Sequence, residues 1–216
     1  MKTKTFFQTI CIVAISMLFV ISCNRDDHIS LTKEEIQEIE TYNPQLLIEN
    51  FAAALAKVFS ENKEIRELVK DEALKMIDDD YDVLYILVKD VKLRDNSTLE
   101  SNLSKYLPRE KLSQLIQEIP TLTIFVPELI DDVFSAVKWD TDLDIPKVAF
   151  IDKENNVHYI DSFGDKKTFA HNEIPLFPIV VLKKSERIVL KSSKLRSSIQ
   201  DNVTVIRANN GLEFVF

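Results

Sequence analysis

The residues in this 216-residue chain whose types and spacing most directly suit chemistry are two runs of alternating aspartates. Asp140, Asp142 and Asp144 repeat every second residue, the opening pattern of an oxygen cage for calcium or another hard cation. A calcium loop also needs glycine in sixth place and glutamate in twelfth. Here those places hold Ile145 and Ile151, so only a non-standard cage completed by Asp152, or by Asp131 and Asp132, would serve. Otherwise the three are exposed loop carboxylates beside Trp139, an anchor for a core or an interface. The earlier run Asp78, Asp80, Asp82 has Val83 and Lys89 in the same two places and reads as the acidic start of a helix, favoured by the positive end of the helix dipole.

Three histidines are the other candidates. His28 lies in a polar stretch near the start. His158, with Asp161, His171 and Glu173, supplies the residue types of a zinc site, but no His-Glu-x-x-His or comparable ligand spacing accompanies them. No serine sits in a glycine-flanked nucleophile elbow, and Ser162-Phe163-Gly164 reads as a turn. Carboxylate pairs of the glycosidase kind depend on spatial pairing, which an abundance of acidic residues does not establish. Phe125, Phe134, Trp139, Phe150, Tyr159, Phe163, Phe169 and Phe177 crowd the second half. They form either a platform for sugars or a protein partner, or the core of a small sheet.

Composition removes several classes of function. Hydrophobic residues make up 45% and charged residues 29%, ordinary values for a chain that folds. The formal charge of −8 repels phosphate backbones, and no long basic cluster offsets it, so nucleic acid is not an expected partner. Two glycines, Gly164 and Gly211, cannot build the glycine-rich loops that cradle nucleotides, and no organic cofactor is implied.

The first 23 residues carry the clearest message. Lys2 and Lys4 precede an apolar run of about a dozen residues at 10–21. That is a secretory signal, too short to be a membrane-spanning helix, which needs roughly 20 apolar residues. Val20-Ile21-Ser22-Cys23 then resembles a bacterial lipobox, which implies that Cys23 is acylated and becomes the mature N-terminus; an ordinary cleaved signal is the rival reading. Cys11 would leave with the signal, so a body with no thiol holds together by burial and hydrogen bonding alone. The mature chain would pair 25 basic with 35 acidic residues, a formal charge of −10. Residues 24–28 are polar and acidic. They suit a solvated tether; the non-aspartate Asn24 directly after the cysteine resembles lipoproteins sent to the outer membrane, and the acidic cluster behind it is similar to the export tags of surface lipoproteins of the Bacteroidota, which implies display at the cell surface.

The elements that must position these residues fall into two regions. Thr32-x-x-Glu35 has capping-box spacing for a short helix, and Asn43-Pro44 starts a stronger one with Leu47, Phe51, Leu55, Val58 and Phe59 on one stripe. Asn62 opens a helix with Ile65, Leu68, Val69, Ala73, Met76 and Ile77 inward. The apolar run 81–91 fits a further helix, Ser97-x-x-Glu100 caps another, and Pro108 begins one with Leu112, Leu115, Ile116 and Ile119 aligned. From Pro120 onward β-branched and aromatic residues with interspersed prolines favour strands. Hairpins are expected at 148–151 with 157–160, at 179–182 with 187–190, and at 203–206 with 212–216, plus a short helix at 194–199. The alternating strand at the end suits either a domain that finishes in a strand or the front part of a longer protein.

The expected fold class is α+β: a signal at 1–22, a lipidated tether at 23–31, a helical region of four to six helices at 32–120, and a small antiparallel β-rich region at 121–216, the last two able to share a core. The body resembles uncharacterised lipoproteins of the Bacteroidota. The expected function is a non-catalytic envelope module, held to the membrane by its N-terminal lipid, that binds an envelope protein or an extracellular polymer. The alternative is a secreted hydrolase or the accessory module of one.

Overall fold

The computed structural model describes residues 43–77, 79–130, 133–185 and 187–188. Cys23, His28, the helix expected from Thr32, Asp78, Asp131, Asp132, the helix at 194–199 and the hairpin at 203–216 lie outside them. Among the described residues five helices and a six-stranded mixed sheet make an α+β fold.

Helix α1, Pro44–Glu61, begins where the sequence places it. The Asn43 side chain accepts a hydrogen bond from the Gln45 amide, and Pro44 occupies a position whose N–H would have no helical partner. Leu47, Phe51, Leu55, Val58 and Phe59 are buried, and Ala52, Ala54 and Ala56 let neighbours approach closely. Asn62 ends α1 by donating its amide to Val58 O, and it starts α2, Lys63–Ala73, by accepting the Glu64 amide on its side chain. Ile65, Val69 and Ala73 point inward, but the helix stops at Ala73 and Met76 is exposed.

The run 81–91 is not one helix. It forms strand β1, Asp82–Leu84, followed by the single turn α3, Tyr85–Val88. Short apolar runs fit either period, and here pairing with a strand forty residues away decides. Helix α4, Leu99–Leu103, uses a capping box one residue later than expected. Thr98 accepts the Ser101 amide, the Ser101 hydroxyl accepts the Thr98 amide, and Glu100 instead pairs with Lys89 at 3.0 Å. Helix α5, Arg109–Glu118, follows Pro108 with Leu112 and Leu115 buried.

The strands are β2, Leu122–Phe125; β3, Lys147–Ile151; β4, Val157–Ile160; β5, Lys166–Thr168; and β6, Ile179–Lys184, in the spatial order β1-β2-β6-β3-β4-β5. The β3/β4 hairpin is the expected one, pairing Val148 with Ile160 and Phe150 with His158, and Asn155 in its turn has φ of 65°. The sheet is not purely antiparallel, because β6 runs parallel to β3. Residues 169–178 carry the chain from β5 back across one sheet face, where Phe169 and Phe177 pack on Tyr159, and this crossover delivers β6 to the far side of β3. Of the hairpin expected between 179–182 and 187–190, the described residues 187 and 188 form no strand, and 189–190 lie outside the described residues. Both edges of β6 are already occupied, by β2 and β3.

The other sheet face, carrying Val148, Phe150, Ile160, Val180 and Leu182, meets α1, and Lys166 on that face bonds Glu49 of α1 at 2.7 Å. One hydrophobic cluster joins Phe51 and Phe59 of α1 to Val148 and Phe150 of β3 and to Val180 and Leu182 of β6.

Candidate functional site

The aspartates with calcium-like spacing are committed elsewhere. Asp140 Oδ1 accepts the amides of Asp142 and Leu143, Asp144 Oδ2 accepts the amide of Asp140, and Asp142 bonds Lys63 at 2.5 Å. These bonds shape a tight turn whose Asp144 carbonyl accepts the Trp139 indole N–H. In the earlier run, Asp82 Oδ1 lies 2.8 Å from Lys183 Nζ and Asp80 Oδ2 lies 2.7 Å from Arg187, so cationic side chains supply the positive charge a metal would have brought. Among the described residues no three His, Cys, Asp or Glu side chains converge well enough to hold a metal ion.

Of the four residues considered for zinc, the sheet separates His158 from His171 and Glu173. His158 projects from the face shared with Phe150, whereas the crossover bearing His171 and Glu173 runs over the opposite face, where Tyr159 points. Asp161 accepts the amides of Phe163 and Asp165, and Glu173 accepts the amide of Ala170. Seven of the eight aromatic candidates are buried or half-buried in the packing; among them only Phe163 stands out in solvent. Lys147 lies against that packing, its Nζ 3.6 Å from the Phe177 ring centre and 4.8 Å from that of Tyr159. Burial, aided by the charge of Lys167, lowers the proton affinity of Lys147.

His158 instead sits at the centre of a polar relay across three chain segments. Its Nε2 is 2.7 Å from Asp152 Oδ2, in the β3–β4 turn, and its Nδ1 is 2.8 Å from Thr168 Oγ1 on β5. The register explains the meeting. Phe169 donates its amide to Val157 O, so Val157 and Phe169 face each other as a hydrogen-bonded pair. The adjacent pair, His158 with Thr168, is then non-hydrogen-bonded, with side chains drawn close. Asp152 is held by more than the histidine: its Oδ1 accepts the amides of Glu154 and Asn156, and its Oδ2 also accepts the Asn156 side-chain amide. The hydrogen bond from His158, then that from Asn156, holds the Asp152 carboxyl well below the ordinary carboxylate range.

An ionised carboxylate only accepts, so Asp152 selects the His158 tautomer with hydrogen on Nε2. In the neutral imidazole Nδ1 is then an acceptor, to which the Thr168 hydroxyl donates. Every proton in the relay is thereby directed, from Thr168 toward His158 and from His158 toward Asp152. The Phe150 ring, 5.5 Å from the imidazole centre, backs the histidine. Sequence reasoning singled out His158 but missed both partners. Asp152 looks like a turn residue, which it also is, and Lys166-Lys167-Thr168 carries no strand pattern from which a register could be drawn.

Because the folded Asp152 carboxyl is depressed, its contribution to stability is present above the unfolded value of about 3.9 and is lost as pH falls through the lower, folded one. Asp152→Asn should therefore be clearly less stable than the natural protein at pH 5, with the difference shrinking toward pH 3. Denaturant midpoints at the two pH values check this, and a difference that stays constant would contradict it.

A second feature lies at the end of the sheet where β3 and β6 begin and β4 ends. Leu143 and Ile145 precede β3, Phe163 sits in the β4–β5 turn, and Leu176 precedes β6; they are 79%, 42%, 84% and 76% exposed. Gly164, with φ of 90°, lets that turn close behind Phe163.

Comparison of the chain with protein-family models, with curated proteins and with solved structures finds no match.

Proposed function

We propose that this is an exported, lipid-anchored envelope protein whose folded part is an interaction module contacting another envelope protein through the fringe of Leu143, Ile145, Phe163 and Leu176. In this reading residues 1–22 direct export, acylated Cys23 and the tether at 23–31 hold the protein at the outer membrane, and the helical region at 32–120 and β-rich region at 121–216 form the body. The observation that carries it is the fringe: large exposed apolar side chains on three connections at one sheet end, the kind of surface a partner covers. A protein partner fits better than a polysaccharide, because among the described residues only Phe163 and Tyr106 expose an aromatic ring on which a sugar could stack, and Tyr106 is not on this fringe.

A photo-crosslinking amino acid at position 163, irradiated in intact cells, is expected to capture a discrete envelope protein, with Leu176→Ser reducing the yield at least several-fold. In the same cells Cys23→Ala should move the protein from the membrane to the soluble fraction. Capture that is diffuse and indifferent to Leu176→Ser would sink the contact surface; a Cys23→Ala protein still in the membrane would sink the anchor.

A second reading, a secreted hydrolase, is favoured by one observation: the directed relay from Thr168 through His158 to Asp152.

A further inference from the structure

We propose that Thr168 is the nucleophile of an acyl-transfer site acting on carboxylic esters, with His158 as its base and Asp152 as the carboxylate that orients the base. This rests on the hydrolase reading and names its site and substrate class. The geometry meets the first two requirements of such a site, a nucleophile hydrogen-bonded to a base at 2.8 Å and a base hydrogen-bonded to an orienting carboxylate at 2.7 Å. The orientation of the imidazole is the reverse of the serine-protease arrangement, with the carboxylate on Nε2 and the hydroxyl on Nδ1, but the roles are set by geometry rather than by which nitrogen is used.

The third requirement is a donor for the oxyanion, and strand position supplies one. Among the described residues β5 is an edge strand, and its Phe169 amide points inward to Val157 O; the N–H groups of a strand alternate, so the Thr168 N–H points outward, away from β4. The nucleophile's own amide is thus open to a substrate oxygen. Thr168 is solvent-exposed on this rim, which admits an ester displayed on a larger molecule.

The step balances without a cofactor. Thr168 Oγ1 bonds to the ester carbonyl carbon as its proton passes to His158 Nδ1, and the carbonyl electron pair becomes an oxyanion facing the Thr168 N–H. His158 keeps its Nε2 hydrogen on Asp152 throughout. Collapse expels the alcohol, which takes the proton from Nδ1 and leaves Thr168 acylated. Water then attacks the acyl carbon, gives its proton to Nδ1, and the acid departs as Thr168 Oγ1 recovers that proton. Ester and water give acid and alcohol.

The test uses the full chain in detergent with p-nitrophenyl butyrate as substrate and a fluorophosphonate probe, followed by mass mapping of the labelled peptide. The expected result is saturable hydrolysis and one adduct, on Thr168. Thr168→Val, which preserves shape, should abolish both. Thr168→Ser should keep both, and His158→Gln should lower the rate by about 100-fold or more. The adduct map on the unsubstituted protein stands even where a variant fails to fold. Hydrolysis that survives Thr168→Val, or an adduct on another residue, overturns this assignment while leaving a hydrolase elsewhere in the chain. No hydrolysis and no adduct overturns both, and makes the relay a clasp that pins the edge hairpin.

Discussion

Replacing Lys183 with methionine is expected to destabilise the protein by about 3–5 kcal/mol, because it removes the ammonium 2.8 Å from a buried carboxylate. Asp82 is 1% exposed on β1, and its Oδ1 lies 2.8 Å from Lys183 Nζ on β6, two strands away. The lysine reaches it across Phe125 of the intervening β2, its Nζ 4.0 Å from that ring centre, with Asp80 a further 3.7 Å contact. The pair need not stabilise the fold by much, since desolvating two charges offsets most of their attraction. Breaking it is costly because the carboxylate stays desolvated while the attraction of the lysine is lost. The double variant Asp82→Leu/Lys183→Met should therefore recover most of the loss. Guanidinium midpoints for the two single variants and the double one measure this coupling. A loss below about 1 kcal/mol for Lys183→Met would mean that water reaches Asp82 and that the burial argument fails.

Trp139→Ala should cost a similar about 3–5 kcal/mol, through the cavity it opens. Trp139 is 1% exposed and is the largest fully buried side chain among the described residues. It meets Phe59 of α1 edge-on at 6.0 Å and Phe134 at 5.6 Å, and donates its indole N–H to Asp144 O. Its own carbonyl accepts from Lys70 and the neighbouring Thr141 carbonyl from Arg66, so the connection between β2 and β3 is pinned to α2 at the tryptophan. Trp139→Phe keeps most of the apolar volume and loses the hydrogen bond, so its cost should be nearer about 1 kcal/mol. Circular-dichroism melts of the three proteins decide it. If alanine costs no more than phenylalanine, the tryptophan is not filling the core.

These contacts also explain why the aspartates of 140–144 look like a cation loop in the sequence and behave otherwise in the fold. Alternating aspartates serve two purposes, to surround a cation or to accept the amides of a tight turn. The choice depends on whether other oxygens arrive from elsewhere. Here Lys63 reaches Asp142, and turn amides bond one oxygen each of Asp140 and Asp144. The relay is the opposite case: Asp152, His158 and Thr168 have unremarkable spacing, and only a register places them in line.

What the sequence by itself determined are the features that depend on near neighbours along the chain. The Asn43 and Asn62 caps, the apolar stripe of α1, the start of α5 after Pro108 and the β3–β4 turn all follow from side chains reaching backbone a few residues away. The tertiary structure alone decided the strand identity of 82–84, the parallel pairing of β6 with β3 and the convergence on His158. Each of these depends on which distant segment occupies a strand's free edge, a competition between long-range pairings of similar local cost that local propensity does not encode.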